Sequence, residues 1–325
     1  MASVYNIIAA YKRALLKRET AAVKLMADRW AIAQRRMSGE LGRLTREIAA
    51  KQAAGEEITA GLLRRQERYR TLLAQAATEH AKYADDATKV IKSATRAGAK
   101  MGVDSAAAAL NEMGVSITFD QVNIGAIEAM AGVLDDGSPV HDALMERFPD
   151  AWESFENELI ASTAQGKSPV IIARRAAEKF GVTVANAMRI ARTEMQRAFR
   201  EASRETYRAS GVVQKYKRVA AHDSRTCVAC LALDGKVYKT SEPLSDHPNG
   251  RCAMVPIVDG MPEVKWESGE DWFNRQDEDI QRDMLGPKRY KAFKDNQFDF
   301  ERLAQIQSNP TWGKQVRVRP LRGLL

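Results

Sequence analysis

Along the first 110 positions apolar residues recur at helical spacing. Ile8, Tyr11, Leu15, Ala22, Met26, Trp30, Ala33 and Met37 form one stripe, and Leu62, Tyr69, Leu73, Ala76, Tyr83, Ala87 and Val90 form a second. The region is rich in Ala, Arg, Lys, Leu, Glu and Gln, which are good helix formers, and the first proline is Pro139. The pattern predicts an extended helical hairpin or coiled-coil-like arm, with breaks at Gly39, Gly42 and Gly55. Such stripes serve mostly for packing within the chain and less often for a partner helix.

Beyond the arm the pattern loosens. Residues 111–165 read as a linker with short helices. Val115, Ile117 and Phe119 alternate with polar residues, as in one short strand, and Asp135-Asp136-Gly137-Ser138-Pro139 is a turn cluster. Gly166 suits a helix end, and Ser168-Pro169 suits an N-cap followed by proline at the first helical position. Gly181 is expected to end that helix. A longer one follows from about Val182 to Ser210, stopped by Gly211. Residues 212–221 then read as a strand, Asp234-Gly235 as a tight turn leading into Lys236-Val237-Tyr238, and 254–258 as another strand. Residues 266–325 return to a helical pattern, with Trp266, Trp272, Phe273 and Trp312 as packing anchors. The fold class expected is mainly α with a small α+β C-terminal domain, its short antiparallel strands set around a Cys/His cluster. The divisions fall at 1–110 (basic helical arm), 111–165 (acidic linker and short helices), 166–313 (C-terminal domain) and 314–325 (tail).

Composition narrows the class. With 45% hydrophobic residues in 325, wholesale disorder is excluded. No run of about 18 apolar residues occurs, so no membrane span is expected. Lys12 and Arg13 interrupt the apolar N-terminus, which does not read as a secretory signal. Charge is unevenly spread: the net is +8 overall, +10 over residues 1–100, −8 over 101–150 and +6 over 151–325. A basic helical module can lie on nucleic acid or on an acidic protein surface, or it can simply be a solvated helix.

Candidate chemistry is confined to one stretch. All three cysteines lie within 26 residues, spaced Cys227-x2-Cys230-x16-His247-x4-Cys252. A Cys-x2-Cys turn lets two thiolates reach one ion, and a later loop can complete a tetrahedron. Zinc suits mixed sulfur and nitrogen donors and needs no redox chemistry. His222 and Asp223 are spares for the fourth position. Only His80, His141, His222 and His247 occur in the chain, so two of four lie beside the cysteines. The alternative is three buried, inert thiols. Catalytic signatures are missing. Thr226 precedes the cysteine pair where deaminases carry proline, no histidine is followed by x-Glu, and no phosphate- or dinucleotide-binding glycine motif occurs. Asp223-Ser224-Arg225-Thr226 reads as a turn with side-chain caps and an Arg–Asp pair. No catalytic residue is assigned.

Several patches together resemble a known family. His222-Asp223-Ser224-Arg225-Thr226-Cys227-Val228-Ala229-Cys230, Leu233-Asp234-Gly235 and His247-Pro248-Asn249-Gly250-Arg251-Cys252 look like the signature of Mu F-like minor head proteins of tailed phages, the phage head morphogenesis family. Ile190-Ala191-Arg192-Thr193-Glu194 is similar too. So is Trp266-x-Ser268-Gly269-Glu270-Asp271-Trp272-Phe273, with the later Gln281 and Leu285-Gly286. The resemblance covers roughly residues 160–313. One position departs from it. The family pattern reads His-Pro-x-Cys-Arg-Cys, and Gly250 stands at the first of those cysteines, so either His247 serves as ligand or the site binds no metal. The resemblance implies a non-enzymatic minor virion protein of the phage head, acting at the portal vertex during head assembly in the host cytoplasm and affecting DNA packaging or release. Its implied partners are the portal protein, capsid or scaffold proteins, and phage DNA through the basic arm, with no membrane. A zinc-containing, sequence-nonspecific nucleic-acid-binding protein is the alternative, and a metal-dependent enzyme a third reading.

Overall fold

The computed structural model describes residues 2–57, 59, 67–116, 169–262, 264, 266–309 and 313–325, with positions 154, 157, 158, 161, 162 and 165. Ile117, Phe119, the turn cluster at 135–139, Gly166, Ser168, Leu62 and Trp312 lie outside the described residues. Three long helices come first: α1 (Ala2–Ala53), α2 (Glu67–Glu112) and α3 (Pro169–Ala209). The chain then runs β1 (Val213–Val219), α4 (Val228–Ala232), β2 (Val237–Lys239), β3 (Ala253–Val258), α5 (Gly269–Asn274), α6 (Glu278–Leu285), α7 (Pro287–Lys294), β4 (Ala304–Asn309) and β5 (Gly313–Val318). A long N-terminal helical region and a C-terminal region of short antiparallel strands are both present, as the sequence pattern implies. No described helix is long and apolar enough to cross a membrane.

Two breaks fall elsewhere than expected. Helix α1 runs unbroken through Gly39 and Gly42 and ends before Gly55, whose φ of 81° needs a residue without a Cβ. Likewise α3 runs through Gly181. A lone glycine weakens a helix by only about 1 kcal/mol. Burial of Met37, Leu44 and Ile48 on either side of the α1 glycines outweighs that.

The chain divides into two compact units. One comprises residues 19–94 and 134–191. Here the two sequence stripes meet: Met26, Trp30, Ala33 and Met37 are buried, as are Tyr69, Ala76, Tyr83 and Ala87. Trp30 meets Tyr83 edge-to-face, with centroids 5.4 Å apart. Ion pairs tie Arg29 to Asp86, Arg36 to Glu79 and Arg68 to Glu47. Position numbers rise along α1 as they fall along α2, so these segments run antiparallel. The Arg29–Asp86 and Arg68–Glu47 pairs are exposed and contribute at most about 1 kcal/mol each, while Glu79 is buried under the exposed Arg36, so the apolar stripe carries most of the stability. The pairs also commit several of the basic residues to carboxylates.

The other unit comprises residues 1–18, 95–133 and 192–325. Its helices approach closely. A Cβ on Gly98 would lie 2.5 Å from the Met195 carbonyl oxygen, and one on Gly102 would lie 2.3 Å from that of Phe199. Ser203 Oγ donates to the Gly102 carbonyl at 3.1 Å. Strands order β2-β1-β3, antiparallel throughout, with Tyr216 opposite Tyr238 and Pro256. Strands β1 and β2 pair with α4 in the connection, and Gly235 at φ 81° turns the chain back. Alternation along β3 serves two cores. Ala253 and Val255 pack with Val4, Ile8, Ala109 and Met113, while Met254 faces Tyr207, Tyr216, Leu231 and Phe273. In the tail, α5 to α7 match the helical expectation and Trp272 and Phe273 are buried anchors. Trp266 is only half-buried, under Lys217. Residues 304–309 and 313–318 are not helical: β4 and β5 pair antiparallel from Ala304↔Val318 to Asn309↔Gly313. The period of two in Gln315-Val316-Arg317-Val318 is the strand signal, and it buries Val316 completely.

Candidate metal centre

Three chain segments build the site, all within the second unit. Strand β1 carries Arg218 and ends at Val219. The following loop is fixed locally: Asp223 Oδ1 accepts from the Arg225 amide at 2.9 Å, and the Thr226 amide donates to the Asp223 carbonyl. The turn and its caps are as the sequence suggests, but the arginine paired to Asp223 is Arg251, with both contacts at 2.6 Å. Cys227 is the N-cap residue of α4, and the Cys230 amide donates to the Cys227 carbonyl at 2.9 Å. That single turn sets both thiols on one side. The loop before β3 brings Asp246 and His247, and Cys252 directly precedes Ala253 of β3.

The donor atoms form two sets of three, each with its members within 4.8 Å of one another. Cys227, Cys230 and His247 make one, and Cys230, Asp246 and Cys252 the other. Cys230 belongs to both. Among the described residues no set of four forms at that spacing. Of the spares, His222 turns away: its Nε2 lies 2.8 Å from Asp234 Oδ2 and its ring stacks on Trp272. Asp223 is taken by Arg251. A small cavity of about 20 Å³ is lined by Cys227, Cys230, His247, Arg225, Asn249 and Cys252 among others. That is room for about one water.

A buried cation sits in the second set. Arg218, 1% exposed, places Nη2 3.1 Å from Cys252 Sγ, 3.3 Å from Cys230 Sγ and 3.3 Å from Asp246 Oδ1. Its Nη1 donates to the Ser245 carbonyl at 2.7 Å. Arg200 approaches the other carboxylate oxygen of Asp246 at 3.2 Å and donates to the Gly250 carbonyl at 3.0 Å. Two guanidiniums thus share one buried carboxylate. Burial opposes ionisation of Asp246, yet the two arginines win and hold its carboxyl down at about 2. The remaining positive charge favours a thiolate: Cys252 is lowered by its hydrogen bond with Cys230 and by Arg218, while Cys230 is raised because its single thiol proton is held among the sulfurs of Cys227 and Cys252. Cys227 is lowered to about 4 by the Cys230 hydrogen bond and by His247. Burial disfavours the charged His247 ring, but Cys227 and Asp246 outweigh it and lift the ring to about 9.

Gly250 has a physical reason here. A Cβ at that position would lie 2.1–2.3 Å from the Asp246 carboxylate. The acid fills the space a side chain at 250 would take. Sequence reasoning reached the cysteines and His247 but missed Asp246, Arg200 and Arg218. A signal existed for Arg218, which falls two residues after buried Tyr216 on a strand and so on the same inward face.

The helix and loop motifs, far apart in sequence, also meet. The Asn249 amide donates to Thr193 Oγ1 at 3.1 Å. Next to Thr193, Glu194 is buried with one oxygen lacking a hydrogen-bond partner, and burial lifts its carboxyl to about 7.

Residues 153–255 match the family model described as phage Mu protein F like protein. The match includes the Ile190–Glu194 helix, both cysteine-bearing segments and His247, so the resemblance read from those motifs is borne out over them. No curated protein and no solved structure matches the chain.

Proposed function

Taking the Mu F-like region as premise, we propose that this chain is a minor head protein of a tailed phage or prophage, which binds the portal vertex and assists head assembly, DNA packaging or DNA delivery. The observation that carries this reading is the family match at 153–255, coinciding with motif patches that touch in the fold through Asn249 and Thr193. The region of residues 166–313, held by the Arg218–Asp246–cysteine cluster, acts as the folded anchor. The basic helices of residues 1–110 contact an acidic portal or capsid surface, or packaged DNA. Ion pairs such as Arg36–Glu79 lower the charge left for phosphate, which favours the protein surface over DNA as the main contact. No catalytic constellation is proposed.

Co-expression with the portal protein of the same phage or prophage tests this. The portal is tagged and the complex washed at moderate salt, which screens weak charge contacts. A stable complex is expected. If none survives and the chain instead binds DNA with strong salt dependence, the nucleic-acid reading replaces this one.

A further inference from the structure

We propose that the chain binds one zinc ion through three residues, Cys227, Cys230 and His247, with a water-sized fourth ligand, and that Cys252 is not a ligand because Arg218 holds it. This reading is independent of the head-assembly role and is tested without the portal.

The donors fit. Two thiolates and one imidazole are a known zinc set with an open fourth position. Tetrahedral geometry at Zn–S of about 2.3 Å puts ligand atoms roughly 3.5 Å apart, so donors already within 4.8 Å need only small side-chain movements. The histidine is oriented for the task. His247 Nδ1 lies 2.8 Å from the Pro248 carbonyl, to which it donates, leaving Nε2 for the metal. Metal-binding histidines ordinarily have their second nitrogen fixed in this way. The adjoining cavity of about 20 Å³ has room for one water.

The second set differs. Cys230, Cys252 and Asp246 already surround a cation, since Arg218 Nη2 is within 3.3 Å of all three. A metal ion there would be a second positive charge beside a buried guanidinium, with Arg200 also close by. Cys252 is therefore spent on the arginine. Cys230 can serve both, because a metal-bound thiolate still accepts an N–H hydrogen bond. The family's additional cysteine has no counterpart in this shell, since Asp246 fills the space beside Gly250.

The full-length chain, freed of metal by chelation under reducing conditions, is titrated with zinc. X-ray absorption at the zinc edge then counts neighbours in the unaltered protein. One zinc per chain with two sulfurs and two lighter atoms is expected. Three sulfurs overturn the proposal, and so does failure to bind zinc tightly. Cobalt gives a second readout through its sulfur charge-transfer bands. Cys252→Ser is expected to keep one cobalt per chain with unchanged band intensity. Cys227→Ser and His247→Gln are expected to weaken binding by more than about a hundredfold. Should Cys252→Ser fail to fold, the edge measurement on the unaltered chain still decides.

Discussion

Replacing Glu194 by glutamine should make the protein more stable at neutral pH and leave it less improved, or weakened, in acid. Glu194 is 2% exposed and lies on α3 beside Thr193. Arg197 approaches it only to 3.8 Å, too far for a hydrogen bond. Burial therefore dominates, and the folded carboxyl titrates at about 7 against 4.5 when unfolded. The native state binds the proton more tightly than the unfolded chain, so stability falls as pH rises between those two values and levels off above the higher. A shift of this size corresponds to about 3 kcal/mol at most. Glutamine does not titrate, so the penalty is absent in E194Q.

The assay is urea unfolding of both proteins at several pH values from 4 to 8. The quantity of interest is the difference in unfolding free energy, because other titrating groups cancel from it. That difference should climb in favour of E194Q by about 2–3 kcal/mol across the range. Its value at the acid end measures any cost of burying the amide. A difference that stays flat with pH would show that Glu194 titrates normally, and the desolvation reasoning would fail.

Other substitutions probe the packing and the charge cluster. Gly102→Ala should destabilise by about 1–3 kcal/mol despite alanine's better helix propensity, because its Cβ meets the Phe199 carbonyl; thermal unfolding checks the sign. Gly250→Ala should cost a similar amount, read in the same way, since Asp246 must yield. Asp246→Asn leaves two buried guanidiniums without their carboxylate and should cost about 3–5 kcal/mol, or prevent folding, measured by urea unfolding. Removing Arg218 and Asp246 together, as Arg218→Met with Asp246→Leu, should cost less than the sum of the single changes; additivity in that double-mutant cycle would refute the coupling.

Much of the architecture was legible because local periodicity and burial agree. Trp30 and Tyr83, members of two separate stripes, meet edge-to-face. Strand β1, the Asp234-Gly235 turn and β3 fall where alternation and turn residues put them. Errors came where a single residue was read as punctuation. Gly39, Gly42 and Gly181 each read as a stop in the sequence, although one glycine costs a long helix little. The β4–β5 hairpin was missed because Gln305, Gln307 and Gln315 blur the apolar alternation that Ile306 and Val316 carry. At the site, cysteine spacing pointed to the right neighbourhood but could not reveal how the four donors divide. That division depends on Arg218, Arg200 and Asp246, which are separated by up to 46 positions and meet only in the fold.

The charge cluster links the departure at Gly250 to the rest of the site. Asp246 fits beside the two arginines only because residue 250 has no side chain. Without that carboxylate, Arg200 and Arg218 would repel one another in a dry interior. With it, the pair is held and Cys252 is drawn to Arg218 at 3.1 Å. The glycine, the acid, the arginine and the third cysteine thus form one coupled unit. A cysteine introduced by Gly250→Cys should therefore not simply add a metal ligand. Its Cβ would force Asp246 out, loosen Arg218 from Cys252, and lower stability by about 1–3 kcal/mol in the metal-free chain. Added zinc would recover part of that loss only if the new thiol and the freed Cys252 both reach the ion. Zinc titration of G250C, read by thermal shift and by sulfur count at the metal, checks this. A variant as stable as the parent without metal would mean that Asp246 has other room, and the coupling would be wrong.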